Sequence, residues 1–338
     1  MARAVTILGD GAWGTAMAWV LAQRPDREVR LLGTRPENTL LFQKTRENTR
    51  LLPGICLPET VTITIDPEQA FDQTEAVFLA VPTQFIRPAL RQFAPYQPPC
   101  PTPVVSLAKG IEIGTFLRPS EIVRQEWSPD TPVAILSGPS HAEEVARGLP
   151  AGVVVAASPQ HPGLALWVQQ AVGTDRFRVY SNDDPVGVEL GGALKNVLGI
   201  AAGMADGLGL GDNAKSALIT RGLAEMSRCG VALGAQARTF AGLAGMGDLL
   251  TTCFSPHGRN RQVGEWLARG ETLATIHTKT PKIAEGITTA QALIPRLEQL
   301  GIEMPISQGV HAVLFEGMSP REAAFSLLMR QQRPEDES

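Results

Sequence analysis

An α/β half built on a mostly parallel sheet, followed by an all-α half, is the fold class that the sequence predicts. Three observations lead there. In the first half of the 338 residues, short aliphatic or β-branched runs alternate with longer segments of helical character, the pattern of a parallel sheet covered by helices. After Ser181-Asn182-Asp183-Asp184-Pro185, which reads as a helix start with an early proline, those runs stop and Ala-, Leu- and Gly-rich segments take over. Hydrophobic residues make up 43%, charged residues 19% and aromatic residues 5%, so the chain is globular with an aliphatic core, and at about 150 residues per domain it holds two domains. The expected division is 1–182, 183–330 and a frayed polar tail at 331–338.

The strands are expected at Ala4–Leu8, Glu28–Leu32, Val61–Ile65, Ala76–Val81, Val104–Leu107, Val133–Leu136, Gly152–Ala156 and Phe177–Tyr180. Ala76–Val81 and Gly152–Ala156 are unbroken apolar runs, as a strand buried on both faces should be. Several runs end abruptly at turn formers: Gly9, Gly33, Pro82 and Gly138. Breaks in the helical half are expected at Gly207–Asp212, Ser255–Gly258 and Thr278–Pro281.

Gly9-Asp10-Gly11-Ala12-Trp13-Gly14 is a G-x-G-x-x-G between a strand and the helical run Trp13–Gln23, with a second strand at βαβ spacing. That context makes it a Rossmann-type dinucleotide loop. Gly9 permits the tight turn, Gly11 lets backbone approach a pyrophosphate, Gly14 permits close helix packing, and the helix N-terminus offers free N–H groups. At the end of the second strand a carboxylate would bind a ribose 2′-hydroxyl and a cation would accept a 2′-phosphate. The residues there are Gly33-Thr34-Arg35, with no acid until Glu37. Arg35 favours NADPH over NADH as the cofactor.

Eight glycines lie between Val186 and Asp212, although each costs up to about 1 kcal/mol in a helix. Gly192, Lys195, Asn196 and Gly199 share one helical face, so something must approach that face closely. A desolvated Lys195 would have a lowered pKa and suit proton transfer to a carbonyl oxygen. A lysine snorkelling along a packed helix gives the same spacing. Gly245-Met246-Gly247-Asp248 holds a carboxylate at a bend, and Gly258-Arg259-Asn260 sets backbone N–H groups beside a guanidinium fork that suits a phosphate monoester. Lys109 and Ser140 each follow a strand, where open α/β sheets bind ligands; Ser140 also fits a helix N-cap. His257 has no identifiable carboxylate partner and is not assigned a role.

The net charge of −4 argues against bulk binding to nucleic acid or an acidic membrane. No apolar stretch reaches the roughly 18 residues of a membrane span. Cys56, Cys100, Cys229 and Cys253 are far apart, without metal-ligand spacing. A reduced cytoplasmic protein without structural metal is expected, and a homodimer is compatible with the sequence.

Taken in order, Gly9 to Ala16, Leu52-Pro53-Gly54, Ser106 to Gly110, Ser137 to Ala142, Leu194 to Ala201, Gly245 to Leu249, Arg259-Asn260 and Ala284-Glu285-Gly286 give the chain a close resemblance to the bacterial-type NAD(P)-dependent glycerol-3-phosphate dehydrogenases. The resemblance implies reduction of dihydroxyacetone phosphate to sn-glycerol 3-phosphate for glycerophospholipid synthesis. It implies Lys195 as the proton donor and acceptor at C2, with Lys109, Gly138, Ser140, Asp248, Gly258, Arg259 and Asn260 on the substrate. Ala12, Trp13, Arg35, Lys109, Ala142, Arg259, Ile283 and Glu285 would line the cofactor. The chain departs from the family's usual pattern at Gly33, where a tryptophan is common, and at Gly258, where a serine is common. Asp10 is unusual in the phosphate loop. Two alternatives are a dehydrogenase of another phosphorylated or 3-hydroxy acid, and a dinucleotide-sensing module; Lys195 and the Arg259 loop argue against the second.

Overall fold

The computed structural model describes residues 3–99, 101–279, 284–331 and 334. Its eight-stranded sheet comprises β1 (Arg3–Leu8), β2 (Arg27–Leu32), β3 (Val61–Thr64), β4 (Thr74–Leu79), β5 (Val104–Ser106), β6 (Val133–Ser137), β7 (Ala151–Ala157) and β8 (Phe177–Asn182). The order is β3-β2-β1-β4-β5-β6-β7-β8. All neighbours are parallel except β6 and β7, which run antiparallel. The chain returns after β6 through only a four-residue helix, Ala142–Val145, rather than a full crossover helix. The expected Ala76–Val81 strand lies two residues earlier, because the chain leaves the sheet where Ala80 packs against Gly9.

The helices that position the cleft residues are α1 (Ala12–Leu21), α2 (Pro36–Thr45), α3 (Pro185–Gly207), α4 (Gly211–Ala232), α5 (Asp248–Phe254), α6 (Arg259–Ala268), α7 (Glu285–Leu300) and α8 (Pro305–Phe315). The sheet ends at Asn182 and α3 opens the helical region at Pro185. Asp184 caps α3: its carboxylate accepts from Gly187 N (2.8 Å), and from Gln236 N (2.8 Å) and Thr239 Oγ1 (2.7 Å) of the adjoining turn. The breaks expected at Gly207–Asp212 and Ser255–Gly258 separate α3 from α4 and α5 from α6. Of the expected break at Thr278–Pro281, residues 278 and 279 are still helical and the rest lies outside the described residues. Most of the tail expected at 331–338 lies outside them too.

Two of the glycines of α3 are explained by backbone contact, and Gly192 and Gly199 by the side chains of Ser137 and Thr252. A Cβ on Gly203 would stand 1.9 Å from the carbonyl oxygen of Arg261, and one on Gly191 would stand 2.6 Å from that of Ala244. The helix is therefore wrapped by α6 and by the turn before α5 at distances that no side chain allows. Its polar residues are held at fixed positions. Among the described residues, no helix is long and apolar enough to cross a membrane.

Candidate active site

The order reverses around β1, with β2 on one side and β4 on the other, so the crevice of this sheet opens at their carboxyl ends. A cleft of about 570 Å³ lies there, running from the phosphate loop across to α3, α5 and α6. Gly9 adopts φ +111°, and a Cβ on it would meet the Ala80 backbone at 3.0 Å. Gly11 is the N-cap of α1, makes no side-chain cap, and has open space where a Cβ would stand. Gly14 sits against the Gly9 carbonyl oxygen, 1.9 Å from where its Cβ would be. The tightness at Gly14 is thus chiefly within the loop itself. An uncapped helix N-terminus with an open cradle above it fits a pyrophosphate. Ala12, Trp13 and Ala142 line the same cleft, and Arg35 lies at its outer end as the exposed N-cap of α2. Ile283 lies outside the described residues.

At the other end, one buried carboxylate joins two lysines. Lys195, on α3, donates from Nζ to Asp248 Oδ1 at 2.5 Å and to Thr252 Oγ1 at 2.7 Å. Lys109, in the loop after β5, donates to Asp248 Oδ2 at 2.7 Å and to the Gly138 carbonyl at 2.9 Å. Asp248 is 2% exposed and Lys195 6%. An ammonium has three donors, so each lysine keeps one proton for a ligand, and the cluster carries one net positive charge. Burial brings the Lys195 pKa down to about 8; Asp248 pulls it up, and Lys109 pushes it down. Burial alone would raise the Asp248 carboxyl, but Lys109 and Lys195 outweigh it and hold the carboxyl below its usual range. The lysine is therefore buried and tuned rather than snorkelling.

Asn196 fixes this cluster to the sheet: its Nδ2 donates to the Lys109 carbonyl at 2.8 Å and to the Gly192 carbonyl at 3.2 Å. Asn260 is engaged within the protein, its Nδ2 donating to Asn196 Oδ1 (2.9 Å) and its Oδ1 accepting from Gly286 N (3.0 Å). It ties α3, α6 and α7 together. Gly258 is the N-cap of α6, where a Cβ would stand 2.8 Å from the Thr252 carbonyl oxygen, and Arg259 is the first residue of that helix, exposed at the cleft. Ser140 is not an N-cap: that position falls on His141, and the Ser140 hydroxyl donates to the Gly138 carbonyl at 2.9 Å. Glu285 reaches back from α7, its Oε1 accepting from Thr83 N (2.8 Å) and Thr83 Oγ1 (2.9 Å) after β4.

Two cleft residues, Thr252 and His141, and the buried Thr83 behind the cleft carry contacts that the sequence patterns do not single out. Thr252 lies one helical turn after Asp248 and faces the same way, so its i,i+4 spacing is the available signal. Thr83 carries none. His141 faces His257 across the cleft with ring centroids 5.9 Å apart; burial, with Lys195 and Lys109 nearby, keeps its pKa below the usual imidazole value.

The description NAD-dependent glycerol-3-phosphate dehydrogenase N-terminus matches residues 4–162, and that of the C-terminus matches residues 184–325. A glycerol-3-phosphate dehydrogenase [NAD(P)+] from Salinibacter ruber is 46% identical over 99% of this chain and 97% of its own length. One from Geobacillus thermodenitrificans is 46% identical over 98% and 96%. The crystal structure of glycerol-3-phosphate dehydrogenase from Coxiella burnetii superposes with a TM-score of 0.92 at 36% identity, covering 97% of this chain and 99% of that one.

Proposed function

The chain belongs to the NAD-dependent glycerol-3-phosphate dehydrogenase family, and from that premise we propose that its cleft reduces dihydroxyacetone phosphate to sn-glycerol 3-phosphate, with Lys195 as the acid. The observation that carries the reading is the Lys195–Asp248–Lys109 cluster at the end of a dinucleotide cleft. Residues 1–182 hold the dinucleotide and residues 183–330 supply most of the substrate pocket. When bound, the dinucleotide supplies a hydride to C2 of the ketone and is itself oxidised.

The remaining steps belong to this chain. The third Nζ donor of Lys195 hydrogen-bonds the C2 oxygen, stabilises the alkoxide as the C=O π bond breaks, and gives that oxygen its proton. In the reverse direction the neutral amine takes the proton back, and a pKa of about 8 serves both directions near neutrality. Lys109 and Asp248 keep the amine in place. Arg259 binds the phosphate at the cleft's helical rim, aided by the N-terminal N–H groups of α6, while the Gly258 N–H is already given to the Ser255 carbonyl at 3.1 Å. Ser140 lines the floor, the Gly138 carbonyl holds Lys109 and Ser140 behind it, and binding energy from the phosphate orients the carbonyl.

The product is the backbone precursor of glycerophospholipids, and a cytoplasmic site fits the buried free thiols Cys229 and Cys253. Oxidation of NADPH or NADH, followed at 340 nm with dihydroxyacetone phosphate and with a panel of 3-keto acids, tests the reading. Turnover with the phosphorylated ketone alone supports it; turnover confined to the keto acids refutes it.

A further inference from the structure

The phosphate loop holds a carboxylate that ketone reduction does not use. Asp10 lies between the turn glycine Gly9 and the open cradle at Gly11, partly buried on the cleft wall. Its Oδ2 accepts from Thr39 Oγ1 at 2.7 Å. The same Thr39 hydroxyl lies 3.0 Å from the backbone carbonyl of Arg35, just past the end of β2. Thr39 is 1% exposed and cannot turn to water. It occupies the space a side chain at position 33 would need: a Cβ on Gly33 would fall 1.8 Å from its Oγ1 and 2.4 Å from its Cγ2. The Asp10 backbone is fixed as well, its carbonyl accepting from Asn48 Nδ2 at 2.8 Å. The missing side chain at Gly33, the buried Thr39 and the unusual Asp10 thus form one unit.

That unit brings a carboxylate to the carboxyl end of β2, where dinucleotide folds hold the acid that binds an adenosine ribose. No acid occupies that position in sequence, because Gly33-Thr34-Arg35 fills it. With Oδ2 committed to Thr39, Oδ1 accepts from none of the described residues and is available to a hydroxyl. We infer that Asp10 is the ribose-selecting residue of this chain, accepting a hydrogen bond from the adenosine ribose and opposing a 2′-phosphate by like charge. The site then sets an anion against the cation Arg35, and NADH binds on more equal terms with NADPH than Arg35 alone would give. This rests on the dinucleotide reading of the cleft.

Calorimetric titration of the full chain with ADP-ribose and with its 2′-phosphorylated form tests the assignment without turnover. Asp10→Asn is expected to shift the affinity ratio toward the 2′-phosphorylated ligand by about tenfold or more, the scale of a hydrogen bond to a charged group. Thr39→Val keeps the carboxylate but removes its tether, and should shift the ratio the same way by a smaller factor. An Asp10→Asn ratio within twofold of wild type, or equal weakening of both ligands, would overturn the assignment and leave Asp10 a tie between loop and helix. If Asp10→Asn does not fold, an unchanged ratio in Thr39→Val overturns it. A wild-type chain that bound neither ligand would instead overturn the dinucleotide reading, and this assignment with it.

Discussion

Replacing Asp248 by Asn should move the pH dependence of the reaction rather than merely slow it. The carboxylate lies 2.5 Å from Lys195 Nζ and 2.7 Å from Lys109 Nζ and is buried. With the charge spread over both oxygens, an effective separation of about 4 Å and an effective dielectric constant of about 20 give an attraction of about 4 kcal/mol. At 1.36 kcal/mol per pKa unit that is about three units. Losing it would drop the Lys195 pKa from about 8 toward about 5, with Lys109 still repelling. Ketone reduction needs the ammonium, so kcat/KM for dihydroxyacetone phosphate should fall above pH 8 in the wild type. In Asp248→Asn the same limb should begin two to three units lower, leaving roughly 1 to 10% of the activity at pH 7. The assay is kcat/KM at saturating cofactor from pH 5 to 10, with circular dichroism to confirm folding. A limb that stays near pH 8 while activity drops uniformly would refute the electrostatic role and leave Asp248 a positioning group.

Arg259→Ala should raise KM for dihydroxyacetone phosphate roughly 10- to 100-fold, the loss of charge-assisted hydrogen bonds, while leaving the slow turnover of dihydroxyacetone nearly unchanged; equal losses on both substrates would remove Arg259 from the phosphate. Gly203→Ala forces a methyl to within 1.9 Å of the Arg261 carbonyl and should cost about 2 kcal/mol or more in urea unfolding, whereas an unchanged midpoint would contradict the backbone contact of α3 with α6. Glu225 is buried under the start of α8, accepting from Ile306 N at 2.8 Å, and burial raises its carboxyl to about 7. A raised folded-state pKa means the protonated form is favoured on folding, so this contribution is full below about pH 4.5 and is lost as pH rises to about 7. Relative to Glu225→Gln, wild-type stability should decline by about 3 kcal/mol over that range; a flat difference would show that the carboxyl is not perturbed.

The sheet was legible because short aliphatic or β-branched runs stood out against their turns, and the central ones could be recognised as apolar on both faces. The antiparallel step from β6 to β7 was not, since direction depends on whether the connection is long enough to cross over. Lys195 could be singled out because polar residues on a glycine-rich helix face need a reason. Asp248 and Lys109 could be singled out as well, but the pairing of these residues could not: Asp248 is 53 residues from Lys195 and 139 from Lys109, and Glu285 is 202 from Thr83. Those meetings are set by how α3 is wrapped, which no local period encodes. Asp10 shows the same limit at closer range. The loop motif placed its backbone, but the destination of its carboxylate depended on Thr39 filling the space left by Gly33.

Whether Lys195 gives the C2 oxygen its proton in an NAD(P)H-dependent reduction is tested most directly by single-turnover reduction of dihydroxyacetone phosphate by Lys195→Met, with cofactor affinity measured in parallel. A proton donor at that position predicts a rate lower by roughly 10² or more with cofactor binding retained, and a rate near that of the wild type would contradict it.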